Sequence, residues 1–269
     1  MTDPAVWSEF AVRMAGTAFI VVMISWIAAR LGPSIGGVVV GLPIVLAPGL
    51  GFMLFDQSPE FVSQASAGAL FSLCATQAFL LAFVALARGN GPFRSVAGGA
   101  LAWLMLALPL GMMPHNPLVG AVLFAIVTLL ARRLGRRLIS GQVTRTAGTN
   151  WGLLVLRGLL AGLLVGAVTL GASALGAGFS GAIMAFPIGF TVIAISLHLD
   201  HGGDFAGQTA YAGLNGLSSL ATFCFCLALF LVHLPAGLAF AVALAASVLA
   251  TVIMAVIAGR KGRSSHGQA

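Results

Sequence analysis

The chain is expected to be an all-α polytopic membrane protein with about nine transmembrane helices in a 4+1+4 inverted repeat. Three observations lead there. Hydrophobic residues make up 59% of the sequence and charged residues 7%. Apolar stretches of about 20 residues follow one another, the length a helix needs to cross the hydrocarbon layer. Residues 7–87 reappear at 151–231, displaced by 144 positions with no gap.

Spans are expected near 10–29, 35–55, 61–87, 95–113, 116–135, 151–174, 177–199, 206–232 and 235–259. The first follows Trp7, which reads as an interfacial anchor, and ends at Arg30. The second is interrupted by Pro43 and Pro48. The third follows Ser58-Pro59-Glu60, an N-cap with Pro at the first helical position. The fourth closes the first repeat. The fifth, from Asn116 to about Gly135, has the shortest uncharged run and ends in an arginine cluster. The sixth opens at Trp151, the counterpart of Trp7. The seventh is interrupted by Pro187. The eighth begins beside Asp204, an acid that favours the positive end of a helix. The ninth ends before Arg260 and Lys261. The organisation is therefore residues 1–114 as a first four-span repeat, 115–149 as an adaptor span and basic loop, 150–259 as a second four-span repeat and 260–269 as a basic tail. Polar stretches are too short for a soluble domain. The start Met-Thr-Asp-Pro has no basic n-region, so the first apolar stretch is expected to be retained and not cleaved as a signal peptide.

The cations orient the chain. Arg30, Arg88, Arg94, Arg132, Arg133, Arg136, Arg137, Arg145, Arg260, Lys261 and Arg263 all fall on one side of a nine-span topology. The positive-inside rule makes that side cytoplasmic, with the N-terminus outside and the C-terminus inside, in an inner membrane. The net charge of +7 then reports orientation and not nucleic-acid binding. The expected partners are the lipid bilayer and a small solute. A homo-oligomer stays open.

Fifteen of the 81 aligned positions in the two copies are identical, and several are residues that are scarce here. Trp7 pairs with Trp151, Arg13 with Arg157, Pro43 with Pro187, Asp56 with Asp200 and Gln64 with Gln208. Glu60 pairs with Asp204, acid for acid. Span one matches span six, an odd offset, so equivalent spans cross the bilayer in opposite directions. Inverted repeats of this kind are the architecture of many secondary transporters.

Pro43 and Pro187 each lie near the middle of a span, among glycines. A proline there removes a backbone hydrogen bond and breaks or kinks the helix, and the freed groups must find protein, water or ligand. Equivalent interrupted helices point to a substrate site between the halves. Each interrupted span is followed by an acidic motif, Asp56-x-x-x-Glu60-Phe61-x-x-Gln64 and Asp200-x-x-x-Asp204-Phe205-x-x-Gln208. Asp56, Glu60, Asp200 and Asp204 are candidates for a coupling proton or cation, with helix capping as the alternative. Gln64 and Gln208 lie just inside their spans. Gln208, Tyr211, Asn215, Ser218, Ser219 and Thr222 form a polar stripe that lipid cannot satisfy. Span three carries a thinner stripe with Ser72, Thr76 and Gln77. Each stripe reads either as a lining or as interhelical glue. Arg13 and Arg157, each six residues after a Trp, can either pair with an anionic substrate or snorkel to the interface.

Other chemistry is weakly signalled. Cys74, Cys224 and Cys226 make no disulfide framework or zinc site. His198 and His201 have no counterparts in the first repeat, so no metal is expected. No phosphate loop, dinucleotide fingerprint or nucleophile elbow occurs, so neither an enzyme nor a cofactor is expected.

The stretch Gly41-Leu-Pro-Ile-Val-Leu-Ala-Pro48, the acids after it and the long third helix resemble the small four-span bacterial GlpM-like membrane proteins. The second copy departs from this pattern, with Val192 in place of Pro48. The resemblance implies a four-helix membrane unit in each half and no particular activity. The expected function is a permease working by alternating access, with proton or cation coupling as one option. The alternatives are a channel and a non-transport factor in envelope or lipid assembly.

Overall fold

A computed structural model describes residues 4–30, 43–139 and 151–266. Among them every regular element is a helix: α1 (Pro4–Arg30), α2 (Leu46–Asp56), α3 (Pro59–Ala87), α4 (Pro92–Gly111), α5 (Pro117–Leu138), α6 (Trp151–Leu175), α7 (Ala177–Met184), α8 (Ile188–His201), α9 (Gly203–Phe230) and α10 (Ala236–His266). Seven segments are long and apolar enough to cross a membrane: α3, α4, α5, α6, α7 with α8 taken together, α9, and residues 236–254 of α10. The 11-residue α2 is apolar but short. Residues 31–42, and with them the first part (35–42) of the expected second span, lie outside the described residues, as does Arg145.

Local chemistry sets the helix starts. Ser58 caps α3, its Oγ accepting from the Phe61 amide at 3.2 Å, with Pro59 at the first helical position. Asn116 caps α5, its Oδ1 accepting from the amides of Leu118 (2.9 Å) and Val119 (3.3 Å). Such caps satisfy amides that have no carbonyl one turn back. Asp204 does not cap α9. It sits in the first turn, after Gly202 at a φ of 85°, a conformation that favours glycine.

α3 and α9 form the centre and pack on each other. In α3, 72% of the apolar stretch is buried, against 22% in α4 and in α10, which lie outside. Phe71, Phe79, Phe83 and Phe223 of this central pair are fully buried. α4 packs on α3 and α10 on α9, while α5 touches both central helices. α1 pairs with α6 through a stripe of small residues. A Cβ on Gly162 would run into the Met14 carbonyl oxygen, so only glycine permits this approach.

Many of the polar residues turn out to hold helices together. Gln77 Nε2 donates to Thr128 Oγ1 at 3.0 Å, tying α3 to α5. Tyr211 donates its hydroxyl to the Arg132 carbonyl at 3.2 Å, tying α9 to α5. Ser219, Ser247 and Thr251 form a buried hydroxyl cluster between α9 and α10, with Thr251 donating to Ser219 Oγ at 2.6 Å. Hydroxyls and amides inside a membrane bundle seek protein partners, and these particular groups find them across helices.

Candidate functional site

The site is built around the break at Pro187. α7 ends at Met184, residues 185–187 leave the helix, and Pro187 becomes the N-cap of α8. Proline has no N–H to return to the carbonyl one turn back. The Ile183 carbonyl accepts instead from the Phe186 amide at 3.0 Å. Two further carbonyls of the broken turn are taken up by α3. Ser72 Oγ donates to the Ala182 carbonyl at 2.9 Å, and Thr76 Oγ1 to the Ala185 carbonyl at 3.0 Å. These hydroxyls replace the ladder that Pro187 ended. The contact is close because a Cβ on Gly181 would overlap the Ala65 carbonyl oxygen.

A cavity of about 70 Å³ lies at this break. Its walls carry Ile44, Val45 and Leu46 at the start of α2, Ile188, Gly189 and Phe190 at the start of α8, Leu73 and Thr76 from α3, and Leu217 and Leu220 from α9. Those ten residues are five pairs separated by 144 positions: 44 with 188, 45 with 189, 46 with 190, 73 with 217, and 76 with 220. Pro187 also lines the cavity, and buried Pro43 immediately precedes the opposite wall.

Two helices begin here. In α8 the first ladder bond runs from the Thr191 amide to the Pro187 carbonyl at 2.9 Å, and in α2 from the Ala47 amide to the Pro43 carbonyl at 2.8 Å. The amides of Gly189 and Phe190 lie in the first turn, where a helix offers them no carbonyl. The positive ends of both helix dipoles therefore meet at the cavity.

Arg157 of α6 lines the same cavity. Its guanidinium lies against Gly189, where a Cβ would come within 2.9 Å of Nε and 3.1 Å of Nη2. Its Nε is buried and has no hydrogen-bond partner, and no carboxylate among the described residues pairs with it. Its repeat counterpart behaves differently. Arg13 is buried, with Nη1 at 2.5 Å from Asp56 Oδ2 and Nη2 at 3.3 Å from Glu9 Oε2.

The structure does not bring the other expected site residues to this cavity. Gln64 and Asn215 are exposed, and Gln208 lines a separate small pocket with Arg88 and Asp204. None of the three lines the cavity beside Pro187, and helix geometry gives the reason. Leu73 stands nine residues after Gln64, and Leu217 nine after Gln208. At 3.6 residues per turn, nine residues reverse the direction of the side chain. The apolar faces of α3 and α9 reach the cavity, and the glutamines point elsewhere.

The acids are also peripheral. Asp56 is engaged by Arg13, and Asp204 accepts from Arg88 Nε at 2.7 Å. Glu60 and Asp200 are exposed. None of the four lines the cavity. Among the described residues no cluster of three or more His, Cys, Asp or Glu could hold a metal. Sequence reasoning missed Gly189, Phe190 and the apolar wall. The available signal was a glycine directly after the Pro187-Ile188 pair, at the position where the first repeat carries Val45. A scan against family models, a search of characterised proteins and a search of solved structures each find no match to this chain.

Proposed function

We propose that the protein is a secondary transporter, a permease that moves a small solute by alternating access between two inverted four-span halves joined by α5. The observation that carries this reading is the cavity lined by five pairs of repeat-equivalent residues. Such a cavity straddles the axis relating the halves, where inverted-repeat transporters hold their substrates. Helix packing supports the same symmetry. α1 packs on its counterpart α6, and α3 on its counterpart α9, while α3 with α4 mirrors α9 with α10. In this reading the chain has nine spans, with the second near residues 35–55 as the sequence suggests. Each half is a GlpM-like unit, and the chain sits in an inner membrane with its N-terminus outside. The protein is not an enzyme and uses no cofactor. Asp56, Glu60, Asp200 and Asp204 lie outside the cavity, so a coupling cation would bind away from the solute.

The test is exchange in proteoliposomes loaded with a mixture of small organic acids, amino acids and sugars. Saturable uptake, accelerated by the same solute inside, is expected. Flux that neither saturates nor responds to internal solute would make the protein a channel. Absence of flux for every solute would favour the assembly-factor alternative.

A further inference from the structure

We infer that the cavity at the α7–α8 break binds a small monocarboxylate with a short aliphatic body, and that Arg157 is the residue that holds its carboxylate. The inference rests on the proposed transport reading for its purpose, but the binding claim stands on geometry alone.

Arg157 brings a guanidinium into a cavity whose other side chains are almost all apolar, and its Nε has no partner. A partly buried guanidinium whose Nε is enclosed without a partner is costly, so its presence at this cavity points to a ligand that supplies the missing charge. The chain contains its own comparison. Arg13 occupies the equivalent place in the first repeat and is satisfied by a carboxylate, Asp56. Arg157 has no protein carboxylate in that role. Its seat against Gly189 leaves the guanidinium beside the first-turn amides of α8. A guanidinium with two free amides at a helix N-terminus suits the two oxygens of one carboxylate. One unpaired cation calls for one negative charge.

The remainder of the cavity specifies the remainder of the ligand. Leu73, Leu217, Leu220, Ile193 and Phe190 offer no donors to a second polar group. Thr76 is committed to the Ala185 carbonyl. The single cation and the apolar walls suit a short-chain monocarboxylate, and they offer no partner for the second charge or hydroxyls of a dicarboxylate, a zwitterionic amino acid or a sugar.

Gly189 makes room for the Arg157 guanidinium, and the position aligned with it is Val45. Arg13 is paired with Asp56 instead.

The experiment uses the purified full-length protein and three probes of one shape: propionate, propionamide and propylammonium. Ligand-dependent shifts in Tm and direct calorimetric titration should show saturable binding of propionate alone. Arg157→Gln and Gly189→Val should each weaken propionate binding about 10- to 100-fold, the loss expected for one charge-assisted contact. Gly237→Val, away from the cavity and with open space around the added Cβ, should leave it unchanged. Equal binding of propionamide, or no binding of propionate by the wild-type protein, overturns the inference and needs no variant to fold. Labelled propionate exchange in proteoliposomes separates the two claims. Binding without exchange sinks transport and keeps the site. Exchange of an uncharged solute with no propionate binding sinks the site and keeps transport.

Discussion

Arg13 and Arg157 stand at aligned positions of the two similar stretches of sequence, and they end in opposite circumstances. Arg13 is enclosed by α1 and α2 and answered by Asp56 and Glu9. Arg157 faces a cavity, and among the described residues no carboxylate pairs with it and its Nε has no hydrogen-bond partner. The Arg157 guanidinium rests against Gly189, and the position aligned with Gly189 is Val45. The comparison teaches that two aligned arginines can differ in what surrounds them, one paired with a carboxylate and the other beside a cavity.

The largest effect should come from destroying the wall that makes the second half special. Gly181→Val places bulk where the Ala65 carbonyl already sits, so α7 cannot rest on α3. We expect a loss above about 3 kcal/mol, seen as little monodisperse protein and a strongly lowered Tm. Gly237→Val, where no atom lies within 4 Å of the added Cβ, should be nearly silent. A similar outcome for both would mean that the close approach of α7 to α3 does not matter.

Next comes the pair of hydroxyls that replaces the broken ladder. Ser72→Ala with Thr76→Val leaves the carbonyls of Ala182 and Ala185 buried without donors. Each should cost about 1–3 kcal/mol. Denaturation of the double variant at unchanged stability would show that water reaches these carbonyls.

The arginines themselves should respond with opposite signs. Asp56→Asn strips the nearest charge from buried Arg13 and should destabilise by about 1–2 kcal/mol, less than a fully buried pair because Asp56 is 35% exposed. Arg157→Met removes a partly buried cation whose Nε has no partner and should raise Tm, by the equivalent of about 1 kcal/mol, while abolishing propionate binding. Destabilisation by both changes would erase the distinction between the two sites.

The smallest expected effect is a pH dependence at the junction of the halves. His115, in the loop between α4 and α5, packs edge-on against Phe71 at 5.4 Å and against Gly178. Burial lowers its pKa below the ordinary 6.5. Between those two values the unfolded chain binds more protons than the folded one, so stability falls as pH drops through about 6.5. Tm measured from pH 7.5 to 5.5 should decline more in the wild type than in His115→Gln. Parallel curves would remove His115 from the account.

Helix content, the break at Pro187 and the equivalence of Arg13 with Arg157 could be read from the linear chain, because each depends on local covalent chemistry or on a simple repeat. Proline lacks an N–H wherever it is placed, and apolar runs of span length form helices in any bundle. The rotation of each helix could not be read in this way. α3 and α9 are apolar on most of their surface, so no hydrophobic face marks which side turns inward. Polar residues therefore suggested a lining that Gln64, Gln208 and Asn215 do not form. Packing settled the rotation instead: Gly181 sits against Ala65, Ser72 and Thr76 reach the broken turn, and Leu73 and Leu217 are left facing the cavity. Which arginine meets a carboxylate of the protein and which meets open space depends on distances between segments more than 30 residues apart, and those distances exist only once the helices have packed.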